Sequence, residues 1–215
     1  MATPNCEADQ LTLVLIGSFN PAILQPRWMA GVDLLGPGEA EAAKITVIAA
    51  DAAIFEIGDW LGIQVTSDRF HATGPFSHAL KIRDFVVGLF SVLEHTPITQ
   101  LGINRSMHFR LKDKTTRDML GEKFAPAEAW PAAFATAKLQ SLRKQGKRPN
   151  SSAGSLTVTI EPSGRIPEVG LFVSSHEHYE LAAGERAAEM LRSNFEASVR
   201  FGLELAEMLL AADGK

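Results

Sequence analysis

The sequence predicts an α+β protein in which mainly antiparallel sheet is packed by two long helices. Three observations carry that prediction. Four short apolar runs between residues 44 and 74 are separated only by Asp, Gly and Ser turns, a spacing that suits a meander and leaves no room for parallel crossovers. Residues 98–111 alternate apolar and polar side chains with the period of a strand. Residues 76–95 and 185–212 instead repeat apolar side chains at three-and-four spacing, the mark of a helix buried along one face.

Taken in order, residues 1–10 are polar and read as a flexible tail, and Leu11 to Ser18 as a buried strand ending at Gly17. Pro21 or Pro26 opens a helix that carries Ile23, Leu24, Trp28, Met29, Val32 and Leu35 inward, and "GPGE" stops it at Gly36. "KITVIAAD", "AIFEIGDW", "GIQVTSD" and "RFHATG" are the meander strands. The 76–95 helix buries Ile82, Phe85, Val86, Leu89, Phe90 and Leu93. In the strand after Pro97, Leu101, Ile103, Met107, Phe109 and Leu111 face one way, interrupted by Arg105, while Asn104, Ser106, His108 and Arg110 face the other. A short helix within 112–131 leads to a strand near 136–143. "KQGKRPNSSAGS" (144–155) reads as a loop, and "SLTVTIEPS" and "GLFVSSHEHYEL" as further strands. The closing helix turns Ala188, Leu191, Phe195, Val199, Leu203, Ala206 and Leu210 inward, and a ladder of Arg192, Glu196, Arg200 and Glu204 outward. "GIQVTSDRFHAT" and "GLFVSSHEHYEL", each followed by a long helix, suggest two similar sheet-plus-helix lobes, 11–125 and 126–215, that could also form one compact domain.

At 215 residues, with 46% hydrophobic and 21% charged residues, the chain has ample material for a core. A net charge of −4 gives no general reason to expect nucleic acid. The acidic start, the short apolar run after it and the lack of any run of about 20 apolar residues point to a cytoplasmic protein without a membrane span. One cysteine, Cys6, cannot form an internal disulfide.

"GSFNP" after an apolar strand resembles the opening of nucleotidyltransferases of the HxGH type, but neither histidine follows Pro21, and Pro26 removes an N–H that could hold phosphate. The turn therefore reads as structural. "GPGEAEAAK" places Glu39 and Glu41 where phosphate would sit. His176 and His178, two apart on a strand, point from one face as some metal ligands do, with His108, His71 or Glu161 as third-ligand candidates. Ser106 with His108, and Ser174 with His176, share strand faces but stand about 6–7 Å apart along the chain, too far for a nucleophile and its base. The basic run Lys138, Arg143, Lys144, Lys147 and Arg148 lacks interleaved aromatics and reads as a charged hairpin end.

What remains is collective. Asn104, His108, Arg110, Arg69, His71, His176 and His178 all alternate away from apolar faces, and would form one polar face if their strands share a sheet. The expected function is a non-catalytic binding or assembly protein that needs no cofactor. Its partner would be another protein or a second copy of itself, met through Asn104, His108, Arg110, His176 and His178. A metal-dependent hydrolase centred on His176 and His178 is the alternative.

"LEHTPITQLGINRSMHFRL" and "TIEPSGRIPEVGLFVSSHEHYEL" resemble segments of sporadically distributed, uncharacterised prokaryotic proteins of about this size. That resemblance implies a two-lobed α+β fold over residues 11 to 210 and carries no activity.

Overall fold

A computed structural model describes residues 5–129, 136–149 and 154–211. Its framework is one nine-stranded antiparallel sheet. In chain order the strands are β1 (Asn5–Gly17), β2 (Lys44–Ile48), β3 (Ala52–Ile57), β4 (Leu61–Thr66), β5 (Arg69–Pro75), β6 (Ile98–Arg110), β7 (Leu142–Gly146), β8 (Ser155–Pro162) and β9 (Gly170–Glu180). Across the sheet they run β2-β3-β4-β5-β1-β6-β9-β8-β7. The helices are α1 (Pro26–Gly31), α2 (Pro37–Glu41), α3 (Ala79–Val92), α4 (Lys114–Phe124) and α5 (Ala187–Leu210). The α+β class and the antiparallel meander β2–β5 are as the sequence predicts.

The two halves of the chain share a plan. Each opens with a 13-residue strand, β1 or β6, and these two pair at the centre of the sheet. Each closes with a strand that pairs with its own opener, β5 on β1 and β9 on β6, followed by a long helix. The helices α3 and α5 pack on one another and on the same side of the sheet. Beneath them lie Leu11, Leu13 and Leu15 of β1, Leu101 and Ile103 of β6, and Phe55 and Phe70 of the meander, all at most 2% exposed. A second apolar cluster joins Met107, Phe109, Leu171 and Val173 to Leu120 of α4 and to Ala206 and Leu210 of α5.

Several expectations are corrected. Residues 5–10 are strand, not tail: the N-terminal half of β1 pairs with β6 around a bulge at Glu7, and Asp9 grips Arg105. A ladder and an ion pair hold this stretch, so it needs no apolar pattern. The first helix ends at Gly31, because the chain turns through a left-handed Asp33 (φ 58°), and "GPGE" opens α2 instead of closing α1. The strand placed near 136–143 lies at 142–146, overlapping that range by two residues and running three residues into the stretch read as a loop. Arg143, Lys144 and Gln145 are tolerated there because β7 is an edge strand with solvent beside it. Residues 150–153 of that loop lie outside the described residues.

Leu203, placed in the buried stripe of α5, is 37% exposed, and Val199 is half-buried. Spacing by four advances 400° around a helix of 100° per residue, so a stripe at 191, 195, 199 and 203 drifts about 40° per step off the contact face. The buried line is Leu191, Phe195, Ser198, Gly202, Leu205 and Ala206. Gly202 sits where the helix crosses the sheet: a Cβ there would lie 2.7 Å from the Ser175 Oγ. Arg105, the interruption noted in β6, is buried at this crossing. It donates to both carboxylate oxygens of Asp9 (3.1 and 2.6 Å) and to the Val199 carbonyl (2.8 Å), and its guanidinium lies 3.6 Å over the Phe76 ring. Among the described residues, no helix is long and apolar enough to cross a membrane.

Candidate functional site

Among the described residues the helices pack on one face of the sheet, and the other carries polar side chains that are mostly half-buried, with Thr157 buried. On this polar face the register lines side chains into cross-strand rows. One row reads Gln64, His71, Val14, Gly102, His178 and Ser155. The next reads Thr73, Thr12, Asn104, His176 and Thr157, and the third Gln10, Ser106, Ser174 and Thr159. Beyond these come His108, Phe172 and Glu161, and finally Arg110 at the end of β6. The sequence-derived candidates Asn104, His108, Arg110, His176 and His178 therefore share a face, as do His71 and Arg69.

They do not form one cluster. Asn104, His176 and His178 meet at the centre. His176 Nδ1–H donates to the Asn104 Oδ1, and the rings of His176 and His178 stack with centroids 6.2 Å apart and planes 29° apart. Gly102 makes this possible: a Cβ there would lie 3.2 Å from the His176 ring, which leans into the space a side chain would fill. An imidazole that donates from Nδ1 and carries no second proton keeps an acceptor at Nε2. His108 lies four residues along β6 from Asn104, about 13 Å away at strand rise. Its Nδ1 meets the Ser163 Oγ at 2.8 Å, and its ring lies 4.9 Å from that of Phe172. Arg110 is spent on an ion pair with Glu7, the bulged residue of β1. That pair holds the Glu7 carboxyl below its usual range.

Three imidazoles here are pushed toward the neutral form. Burial lowers the pKa of His71, and the charge of Arg69 adds to it. Burial lowers that of His108, helped by Arg165. For His176 burial is again the main cause, followed by His178 and Arg143. The arginines that lower these values, Arg69, Arg165 and Arg143, are cations on or beside the face, which also carries Glu161. His71 Nε2 is buried without a hydrogen-bond partner.

The alternative chemistries are placed as follows. Among the described residues, no group of three His, Cys, Asp or Glu side chains is close enough to hold a metal ion. His71 is three strands from His178, about 14 Å, and Glu161 pairs opposite Phe172, four residues from His176. The serine that meets a histidine is Ser163, not Ser106 or Ser174. Its oxygen accepts the N–H groups of Arg165 and Ile166 (3.2 and 3.0 Å) and caps a turn. The basic run divides: Lys138 reaches Asp118 at 3.4 Å, whereas Arg148 turns inward to an ion pair with the Glu177 Oε1 at 2.7 Å, and the Tyr179 hydroxyl donates to the Oε2 of the same carboxylate.

At "GSFNP" the amides that would cradle phosphate are already used. Gly17, Ser18 and Phe19 donate to the carbonyls of Asp68, Pro97 and Ser67 at 3.0, 2.8 and 2.8 Å. Gly17 is glycine because a Cβ would lie 2.2 Å from the Pro97 oxygen. A groove of about 350 Å³ lies beside this turn, and one of about 590 Å³ lies beside α4; none of the five candidate residues lines either.

Sequence reasoning missed the threonines of the face. Thr12 and Thr73 touch at 2.9 Å and Gln10 donates to Thr73 at 3.2 Å, while Thr157 and Thr159 extend the floor under β8. Their signal was the polar phase of β1 and β8, which the apolar phase overshadowed. No protein-family model matches the chain, and no curated protein matches it.

Proposed function

We propose that this chain is a non-catalytic binding protein that seats a protein partner on the polar face of its sheet. The observation that carries the reading is the face itself: the helices pack on the other side, and this one presents hydroxyls, an amide and neutral imidazoles in ordered rows. Polar rows spread over five strands suit a macromolecule better than a small ligand, which favours a concave pocket. Arg69 and Arg143, close enough to lower the pKa values of His71 and His176, favour a partner that brings carboxylates. Such carboxylates would draw protons onto His71 and His176, so binding would take up protons and tighten on mild acidification.

The test is histidine-selective acylation of the chain alone and with the partner captured from its native host. His71, His108, His176 and His178 should be protected in the complex, while His95, whose side chain is 96% exposed, stays reactive. Capture should be lost in Asn104→Ala/His176→Ala and kept in Lys144→Glu. Equal labelling of all five histidines with and without partner refutes the reading.

A further inference from the structure

The two edges of the sheet are built differently. On β7 the side chains at the edge include Arg143, Lys144 and Gln145, the charged dress that keeps an edge strand from pairing. On β2, every residue is exposed, and three of the five are large and β-branched: Ile45, Val47 and Ile48, at 57%, 36% and 37% exposure. Lys44 and a bulge between Ile45 and Val47 are its protection. Register shows which way these side chains point. Ile45 lies opposite Phe55 and Ile48 opposite Ala53, both buried on the helix side, so both isoleucines extend the apolar face past the last covered strand.

We propose that β2 is a self-pairing edge: two copies join β2 to β2 antiparallel about a twofold axis, making one continuous eighteen-stranded sheet. This surface lies apart from the polar face, and the inference does not depend on the function proposed above. The occupant follows from complementarity. Pairing β2 with β7 of another copy would set Ile45 and Val47 against Arg143 and Lys144, and, being head-to-tail, would propagate into a filament. Pairing β2 with itself sets apolar against apolar and closes after two chains. Keeping each side chain on its own face places Ile45 of one chain opposite Ile48 of the other, twice across the axis. Five residues a side make a small contact, so the dimer is a weak, reversible one. The polar faces of both copies then lie on the same side of the joined sheet.

Sedimentation equilibrium of the intact chain from about 1 to about 100 µM tests this, since a weak, reversible dimer dissociates on dilution. A reversible monomer–dimer equilibrium is expected, and a parent monomeric throughout overturns the proposal. Val47→Lys and Thr46→Pro should each weaken dimerisation at least tenfold, with unchanged circular dichroism. Lys144→Glu should leave it unchanged. The β2 side chains lie outside the buried core, so a Val47→Lys chain keeps that core, and one that dimerises like the parent refutes the edge. In a Cys6→Ser background, chains carrying Ile45→Cys and Ile48→Cys should join by a disulfide on mixing and mild oxidation. Preferential joining of Ile45→Cys to Lys144→Cys would mean head-to-tail pairing and would overturn the twofold.

Discussion

Replacing Phe195 by Ala tests the placement of the longest helix. The ring is fully buried between α3 and the sheet, with the Arg83 guanidinium 5.6 Å from its centroid. Truncating a fully buried Phe to Ala costs about 3–5 kcal/mol, the sum of lost transfer energy and the cavity left behind. With an unfolding entropy of about 2.1 cal/mol/K per residue, a 215-residue chain changes its melting temperature by about 2 °C per kcal/mol, so the expected drop is about 7–11 °C. Leu203→Ala removes a side chain that is already 37% exposed, and should cost about 1–2 kcal/mol. Arg200→Ala loses only a 3.8 Å contact with Glu204 between well-exposed groups, and should cost less than about 0.5 kcal/mol. Urea denaturation with a common slope, supported by calorimetry, separates the three. Equal midpoints for Phe195→Ala and Leu203→Ala would mean the helix is rotated from the position described. If Phe195→Ala instead gave a well-folded monomer from an oligomeric parent, the ring would be an interface anchor and not a core residue.

Acidification supplies another test. His71, His108 and His176 have pKa values below the ordinary 6.5, so the unfolded chain takes up their protons first. Their contribution is complete above about pH 6.5 and is lost as pH falls through the lowered folded values. Urea midpoints should decline across that window, less so in His71→Gln; a rise on acidification would contradict the neutral assignment. At the "GSFNP" turn, millimolar ATP or CTP should leave the melting temperature unchanged, because the amides of Gly17, Ser18 and Phe19 are committed to carbonyls. Gly17→Ala should cost at least about 1–3 kcal/mol through collision with the Pro97 carbonyl. A nucleotide-dependent rise in melting temperature abolished by Gly17→Val would reverse that conclusion.

The meander, α3 and the two faces of β6 were legible because their order is local: periodicity within one segment decides which side is buried. The same is true of His176 and His178, whose phase on β9 follows from the apolar residues on the opposite phase, Leu171, Val173 and Tyr179. What escaped the sequence is held by distant partners. Residues 5–10 have no apolar alternation and are strand because β6 offers a ladder and Arg105 a countercharge for Asp9. β7 is strand because β8 lies beside it, with a composition chosen for an edge. Arg148 looked like surface charge, yet it is drawn in by Glu177, a carboxylate on the helix side of β9 that periodicity marks but cannot pair. The lower half of α5 was misread because small residues, Ser198 and Gly202, hold the contact line where larger apolar ones drift off it.

The central position of β1 sets an order of events in folding. Its two neighbours lie far along the chain: Thr73 reaches back 62 residues to the Leu11 carbonyl, and Arg105 reaches 96 residues to Asp9. The meander β2–β5 closes by adjacent turns, so it can assemble early, and β1 then docks on β5 beneath α3. At that stage one side of β1 remains a bare edge until β6 has been made, and its apolar half, Leu11 to Ile16, waits with that edge unpaired during synthesis. Closing contacts this distant carries a large loop entropy, which slows the final step. A ribosome stalled before residue 98 would therefore hold a half-sheet whose β1 edge is open to any passing strand.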